Sequence, residues 1–574
     1  MVAFREGSRG FELHVGRLRI PQSTYLLFAA LLVGLGGGFG AVGFRALIGY
    51  EGGLAAALTA ALAHPIGSAA LIVSVGLGGA LAAWITARFA PEARGHGVPE
   101  VMAAVALRGG MIRPRIILIK ALASATSIGF GGSVGREGPI VQIGSAIGSV
   151  LGQIARAPTP IVRTLVACGA AAGISATFNA PIGGVFFASE VILGDFAPRS
   201  FAVIVVASVV SAVVGRTILG NRPSFDASAF ALVSPRELWL YALLGVLCAL
   251  WATAFVTILY AFEDAADRVR LPAALKGFLG FAIVGAIGLA LPQILGVGYA
   301  AMQHVLDGHV AFPRALELAL AKPLATSLTL AAGGSGGVFA PSLYTGAMLG
   351  DAFGRIVHGL FPTWTALPAA YGLVAMSALF AAAAEAPITA VMIVFEMSND
   401  YTIILPLMIA TVIASVLGRR LLGSTVYERK LLRRGIDWKR VRRPHALANV
   451  RAGSVIAPAD EDETAEADES VSDVVARIGE RGDGVVIVKD RRLVGTVSVS
   501  ALAQAAIEDP RIPVGALPHH GTATVYRTDP LERAADLLAD SSVAMLPVLD
   551  ENEQVVGVLT RRLVLDAYRS VRAS

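Results

Sequence analysis

The 574-residue sequence predicts an α-helical polytopic membrane domain of two related halves with broken helices, followed by a small α/β domain. Three observations carry this prediction. Hydrophobic residues make up 55% of the chain and charged residues 16%, with a mean hydropathy of +0.67, a membrane composition with room for one soluble domain. A glycine-punctuated stretch occurs twice in register. After Arg443 the apolar runs give way to alternating β-rich and helical runs.

The repeated stretch is residues 132–152, GSVGREGPIVQIGSAIGSVLG, which returns as 334–354, GSGGVFAPSLYTGAMLGDAFG. At a shift of 202, Gly132, Ser133, Gly135, Pro139, Gly144, Gly148 and Gly152 meet Gly334, Ser335, Gly337, Pro341, Gly346, Gly350 and Gly354, and Lys120 meets Lys322. Two copies in register make an internal repeat. Pro139 and Pro341 suit the first turn of a helix, where no N–H is missed. The glycines before them let the backbone approach a neighbour or an ion. Free N–H groups at a helix start, with the positive dipole end behind them, attract anions. In apolar surroundings such breaks are tolerated where they line a cavity, and repeat transporters place them at the repeat interface. A helix-packing seam explains the Gly144, Gly148, Gly152 spacing. It does not explain the charged pair Arg136 and Glu137 ahead of it.

Taken in order, residues 1–22 form a short polar start carrying Arg5, Arg9, Arg17 and Arg19. Apolar runs follow at about 24–50 and 68–90, then a polar patch at 91–100, then runs near 115–130, 138–155, 160–176, 181–194 and 200–219. Several are shorter than the roughly 20 residues of a full crossing and read as half-spans or tilted helices. Residues 221–228 read as an external loop. The second half runs over 238–422, with polar joints at 262–270, 306–314 and 397–400. GHG at 95–97 meets GVG at 296–298, and Ala180-Pro181-Ile182 meets Ala386-Pro387-Ile388, each followed by a glutamate, Glu190 and Glu396. The halves are thus about 24–219 and 238–422; identities alone leave open whether they are inverted or parallel in the membrane.

Ten Lys and Arg fall between residues 419 and 443, after the last apolar run. The positive-inside rule places that end, and the arginine-bearing N-terminus, in the cytoplasm, with an even number of full crossings between them. No apolar segment with a cleavage site precedes the first span, which argues against a signal peptide. Cys168 and Cys248 both sit in apolar runs and suggest neither a disulfide framework nor a metal site. The acidic tract 459–470 reads as a mobile loop. Strands are expected at 484–490, 493–499, 543–550 and 555–561, and helices at 500–508, 531–539 and 562–571, giving two α/β units.

GHGVPE (95–100), GREGP (135–139), GVFAP (337–341) and the tyrosine of STVYERK (424–430) together resemble the ClC family of chloride channels and chloride/proton antiporters. The tail at 451–574 resembles the paired CBS domain found at the C-terminus of such proteins. The resemblance implies a ClC-type fold of two inverted repeats: a cytoplasmic segment 1–22, a transmembrane domain 23–423, a basic linker 424–450 and a cytoplasmic CBS pair 451–574. It implies a multi-pass membrane location of bacterial inner-membrane type, a homodimer with one pore per subunit, and chloride or a similar small anion as cargo. No cofactor, metal or nucleic-acid partner is expected.

The resemblance also assigns roles. Glu137 is the gating glutamate, whose ionised carboxylate occupies an anion position and leaves it when protonated. Backbone N–H groups of Arg136 and Gly138 line the outer anion position, those of Val338 and Phe339 bind the central anion, and Tyr427 donates its hydroxyl to it. The competing reading of Glu137 is a structural pair with Arg136 or Lys120. Two departures bear on function. His96 stands where the common motif has a serine facing the central anion, which opens the chloride-over-nitrate preference. Val191 stands where antiporters carry the internal proton-transfer glutamate, so the reading is channel-like; Glu190 beside it points about 100° away on a helix. In the tail, Ala501 and Leu563 occupy the positions of ribose-binding carboxylates, which puts nucleotide binding in doubt.

The expected function is ClC-type anion transport gated by Glu137, with a chloride/proton antiporter as the alternative. An alternative of another class is an anion sensor signalling through the CBS pair. Enzymatic chemistry is not expected: the sequence has no P-loop, dinucleotide fingerprint, metal-spaced His/Cys set or nucleophile–base constellation.

Overall fold

The computed structural model describes residues 2–7, 10–15, 18–221, 224–225, 232–438, 447, 450–458, 463–478, 484–518, 523–539 and 545–573. The chain divides into two compact units, Met1–Val441 and Arg442–Ser574.

The first unit opens on a backbone sheet that the sequence reading took only as a polar start. Strands β1 (Val2–Gly7), β2 (Gly10–Val15) and β3 (Leu18–Pro21) lie antiparallel in that order, with Val2 opposite Val15 and Glu12 opposite Pro21. Then come eight helices: α1 (Gln22–Ile66), α2 (Ala69–Phe89), α3 (Val98–Leu107), α4 (Arg115–Gly129), α5 (Glu137–Ile154), α6 (Thr159–Phe178), α7 (Pro181–Phe187) and α8 (Pro198–Leu219). Eight more repeat the pattern: α9 (Leu238–Arg268), α10 (Ala273–Ala290), α11 (Tyr299–Leu306), α12 (Phe312–Ala331), α13 (Phe339–Leu360), α14 (Pro368–Ala384), α15 (Pro387–Ser398) and α16 (Ile404–Leu422). Helix α5 begins at Glu137 and α13 at Phe339, the spacing of the sequence repeat.

Local chemistry sets the breaks. Asn179 takes a left-handed conformation, φ 58°, to end α6, and Pro181 opens α7; Glu385, φ 51°, and Pro387 do the same between α14 and α15. Among the described residues, seven helical stretches are long and apolar enough to cross a membrane. Helix α1 continues unbroken to Ile66, well past the run that hydropathy alone suggests. Exposed Phe28, Leu31, Leu35 and Phe39 line its outer face, as a lipid-facing helix requires.

The two halves exchange hydrogen bonds reciprocally. Gly135 N–H donates to Gly337 O at 2.7 Å and Gly337 N–H to Gly135 O at 2.6 Å. Ser133 Oγ donates to Ile294 O at 2.8 Å, and its repeat partner Ser335 donates to Ala93 O at 2.7 Å. Glu396 accepts from Ile182 and Gly183 N–H at 3.0 and 2.7 Å, so it caps α7; Glu190 accepts from Ile388 and Thr389 N–H at 3.4 and 2.9 Å, so it caps α15. Each half therefore finishes the helix starts of the other, and neither glutamate is spare. The packing seam read from the glycines also forms: a Cβ on Gly144 would sit 2.1 Å from the Gly169 carbonyl oxygen, so α5 and α6 touch through backbone.

Two segments read as loop or linker are built into this unit. Of residues 221–228, 222–223 and 226–228 lie outside the described residues. Ser224 and Phe225 fold back: Ser224 Oγ donates to Phe178 O at 2.8 Å, and Phe225 is buried with its N–H on Met397 O at 3.1 Å. In the basic stretch 424–450, α17 (Val426–Leu432) is closed by a capping box between Thr425 and Glu428, and Val426, Tyr427 and Leu431 are buried. Its cations are held by acids on α9 and α3: Glu263 accepts from Lys430 at 2.6 Å and Arg433 at 2.8 Å, while Arg434 pairs with Glu100. Residues 439–446 and 448–449 lie outside the described residues.

The second unit has two sheets. Strands β5 (Thr464–Glu466), β6 (Gly484–Lys489) and β7 (Arg492–Ser498) form one, and β4 (Ala457–Pro458), β10 (Val555–Thr560), β9 (Met545–Leu549) and β8 (Val525–Tyr526) form the other in that order. Helices Val471–Ile478, Val499–Glu508, Leu531–Ala539 and Arg561–Ala573 accompany them. The longer strands and three of the helices fall where the sequence places them. The acidic tract does not stay a loop throughout: Thr464–Glu466 pairs in parallel with Val486–Val488, which satisfies its backbone, while residues 459–462 lie outside the described residues.

Candidate anion pathway

Four broken helices begin around one point. Helices α3 and α11 start after Gly97 and Gly298, both with positive φ, and α5 and α13 start after Arg136 and Val338. The bridges between Gly95 and Ser335 and between Gly135 and Gly337 tie the starts of α3, α5 and α13 together, and the Tyr299 side chain at the start of α11 reaches Glu137. Helix geometry leaves the first N–H groups of each without an intrahelical acceptor. The N–H groups of Arg136 and Gly138 on one side, and of Val338 and Phe339 on the other, are of this kind. Gly138 admits no side chain, since a Cβ there would lie 2.0 Å from the His96 carbonyl oxygen.

Lysines fix the turns ahead of α3 and α11. Lys120 Nζ donates to Ala93 O and Gly95 O at 2.9 and 2.8 Å; Lys322 Nζ donates to Ile294 O and Gly296 O at 2.8 and 2.7 Å. Ala93 O and Ile294 O each accept from the lysine and from the serine of the other half, and Gly95 O accepts from Lys120 and from Gly336 N–H, so the carbonyls of these turns are paired in a dry interior. Lys120 is thereby committed to backbone and is not a partner of Glu137.

Glu137 is buried, with 1% of its surface exposed. Its Oε1 accepts a hydrogen bond from the Tyr299 hydroxyl at 2.7 Å and lies 3.9 Å from Arg136 Nε. Its Oε2 is buried and folds over Gly135, where a Cβ would come within 2.3 Å of it, and the backbone N–H groups of Glu137 and Ala340 face the carboxylate. The Arg136 guanidinium stacks on the Tyr299 ring at 4.8 Å. The carboxylate therefore sits at the start of α5, held through Oε1 by Tyr299, with Oε2 enclosed beside backbone N–H groups of the kind that attract anions.

Phe339 packs in an aromatic cluster with Phe380, Phe178 and Phe187 at centroid distances of 4.1, 5.2 and 6.5 Å. Tyr427 is buried on α17. The Tyr260 hydroxyl donates to the carbonyl of Val426 next to it, and the Tyr260 ring lies 6.3 Å from that of His96. His96 is buried, and neither ring nitrogen has a hydrogen-bond partner; Nε2 is 3.9 Å from Glu263 Oε1. A buried imidazole with two unmatched nitrogens calls for a water or an ion beside it. Val191 is buried in a π turn, Ala188–Leu193, that continues α7.

Beside Glu137 lies a cavity of about 300 Å³ lined by Arg45, Arg136, Asn179, Arg216, Ser224 and Tyr299, among others. Three arginines around one mouth suit the entry of anions.

The family model described as voltage gated chloride channel matches residues 78–419. The chain belongs to the voltage gated chloride channel family. A second family model, CBS domain, matches residues 514–570. The chain is 33% identical over 359 residues to the H(+)/Cl(-) exchange transporter ClcA of Vibrio parahaemolyticus, covering 60% of this chain and 76% of the relative. A solved cyanobacterial Cl-/H+ antiporter superposes with a TM-score of 0.66 at 29% identity, covering 71% of this chain and 97% of that one. A eukaryotic CLC transporter at 19% identity shares the fold with a TM-score of 0.62 over 94% of this chain. The protein is thus a multi-pass membrane protein of ClC fold, and the family's work is anion transport.

Within this chloride channel family reading, the structure brings together His96, Arg136, Glu137, Gly138, Val338 and Phe339 around the helix starts, with Tyr427 joined through Tyr260. Sequence reasoning missed Tyr299, Tyr260 and Glu263. Tyr299 could have been flagged: it follows GVG in the second half, at the helix start equivalent to that of α3 in the first.

Proposed function

We propose that the protein moves chloride or a similar small anion along the path between these helix starts, and that Glu137 is its gate. The observation that carries this reading is the buried Glu137 carboxylate at the N-terminus of α5, held through Oε1 by Tyr299 and facing backbone N–H groups. An ionised carboxylate there substitutes for an anion, and protonation removes the reason for it to stay. Arg136 and Gly138 serve the outer position; Val338, Phe339, Tyr427 and His96 serve the central one. The protein works as a homodimer, with both termini and the tail, a pair of CBS repeats, in the cytoplasm.

The first reading of coupling is channel-like. Val191 neither binds nor releases a proton, and an apolar wall gives a water chain few of the 2–4 polar partners that each buried water needs. The test is an imposed chloride gradient across liposomes, with the voltage set by potassium and valinomycin. Anion flux without stoichiometric proton movement supports the reading; uphill proton movement at a fixed ratio overturns it. A sensor without transport would show no flux at all.

A second reading is chloride/proton exchange. Two of the relatives named above, the Vibrio parahaemolyticus transporter and the cyanobacterial antiporter, carry that activity in their names. Glu263 Oε1, 3.9 Å from His96 Nε2, places a carboxylate on the α17 side that Val191 does not supply.

A further inference from the structure

Helix α11 carries a second cluster of chemistry at its other end. Tyr299, its first residue, holds the gate; His304 lies in its last turn, and Asp307 is the residue after it. Gly308 turns the chain with φ +75° and His309 N–H returns to His304 O at 2.9 Å, which folds the second histidine back beside the first. The ring centroids stand 6.3 Å apart, and one ligand atom from each of His304, Asp307 and His309 falls within 4.8 Å of the others. Around a tetrahedral zinc with bonds of about 2.1 Å, ligand atoms are about 3.4 Å apart. All three side chains are exposed, so rotamer changes close that difference.

The donor set and its support are those of a metal site. Two imidazoles and one carboxylate suit zinc-class divalent ions rather than calcium or magnesium, which prefer all-oxygen shells. Gln303 Nε2 donates to Asp307 Oδ1 at 2.8 Å, which orients the carboxylate through one oxygen. Arg355 donates to Gly308 O at 3.4 Å, and its own charge is matched by Asp351 at 2.7 Å. The turn is thereby pinned to α13 without an unbalanced cation facing the site.

We propose that His304, Asp307 and His309 bind a zinc-class divalent metal ion, and that the bound ion lowers anion flux by stiffening α11 and holding Tyr299 against Glu137. The flux clause rests on the gating role of Glu137; the binding clause does not. The helix is eight residues long, about 12 Å, so the two ends move as one rod. A cation at its C-terminal end also complements the helix dipole.

The test uses the full-length protein in lipid nanodiscs and liposomes, titrated with Zn²⁺. Wild type should bind one Zn²⁺ per subunit that His304→Ala/His309→Ala lacks, while the variant keeps zinc-free flux because all three residues are exposed. Gln303→Ala should weaken binding about 10-fold. Equal stoichiometry and affinity in wild type and double variant overturn the site, and displacement of zinc by equimolar Ca²⁺ overturns its chemical class. In liposomes, Zn²⁺ should slow wild-type flux and leave the double variant unaffected. Tyr299→Phe should still bind Zn²⁺ yet lose the flux response; a retained response overturns the coupling through Tyr299. If Glu137→Gln shows that Glu137 is not the gate, the binding measurement still decides the site.

Discussion

Tyr299 donates its hydroxyl to Glu137 at 2.7 Å, joining the first residue of α11 to the first residue of α5 across the two halves of the repeat. The bond ties the candidate gate to an element of the other half. Arg136 stacks on the same ring, so carboxylate, phenol and guanidinium form one unit. Anything that shifts α11 therefore changes what holds Glu137.

Glu137→Gln keeps the shape of the side chain and removes its charge. The amide has no protonation equilibrium in the working range, so pH-dependent gating should disappear while anion flux remains. Flux measured from liposomes between pH 4 and 8 checks this; a wild-type pH profile in the variant would remove Glu137 from the gate.

Tyr299→Phe keeps the ring under Arg136 and deletes the donor. A net contribution of about 1–1.5 kcal/mol for such a bond corresponds to a roughly 5- to 10-fold rise in the population of displaced carboxylate. Flux at neutral pH should rise by up to that factor. A decrease, or no change, would mean that the bond does not hold the gate.

His96 offers two unmatched ring nitrogens where an anion is expected to sit. His96→Ser replaces a broad donor with a small hydroxyl, and the chloride-to-nitrate flux ratio should change. An unaltered ratio returns His96 to packing.

The exchanged caps carry a stability expectation. Removing the carboxylate in Glu396→Ala leaves the Ile182 and Gly183 N–H groups of α7 unpaired, which costs about 1–2 kcal/mol. Glu190→Ala should do the same at α15. Both variants should melt at lower temperature in nanodiscs than wild type, and an unchanged melting temperature would deny the capping role.

In the tail, Ser498 and Thr560 accept from the backbone N–H groups of Ala501 and Leu563 at 3.3 and 3.4 Å, so they act as helix caps. With no carboxylate at either position, ATP and AMP should show no micromolar binding to the full-length protein by calorimetry. Such binding would show that other groups replace the ribose contacts.

The membrane halves were legible because their signals are local and doubled. Gly132 to Pro139 and their copies announce broken helices, and Pro181 and Pro387 announce restarts, since proline and glycine act through their own backbone. The strands of the tail were legible where apolar runs exceed four residues. Ala457–Pro458 and Val525–Tyr526, two residues each, have no periodicity to read. The basic stretch after residue 423 looked like a linker because its cations are visible in sequence and their partners, Glu263 and Glu100, lie more than 160 residues away.

The sequence by itself determined the family, the twofold repeat, the glycine- and proline-marked helix starts and the place of Glu137 at one of them. These follow from residue types that act on their own neighbours. Only the tertiary structure decided which residue holds which: that Lys120 serves the carbonyls of Ala93 and Gly95 rather than Glu137, that Glu190 and Glu396 cap each other's half, that Tyr299 bonds Glu137, and that His304 and His309 lie side by side. Hydrogen bonds and metal donor sets depend on distances of a few ångströms between side chains far apart in the chain, and those distances exist only once packing has set the helices side by side.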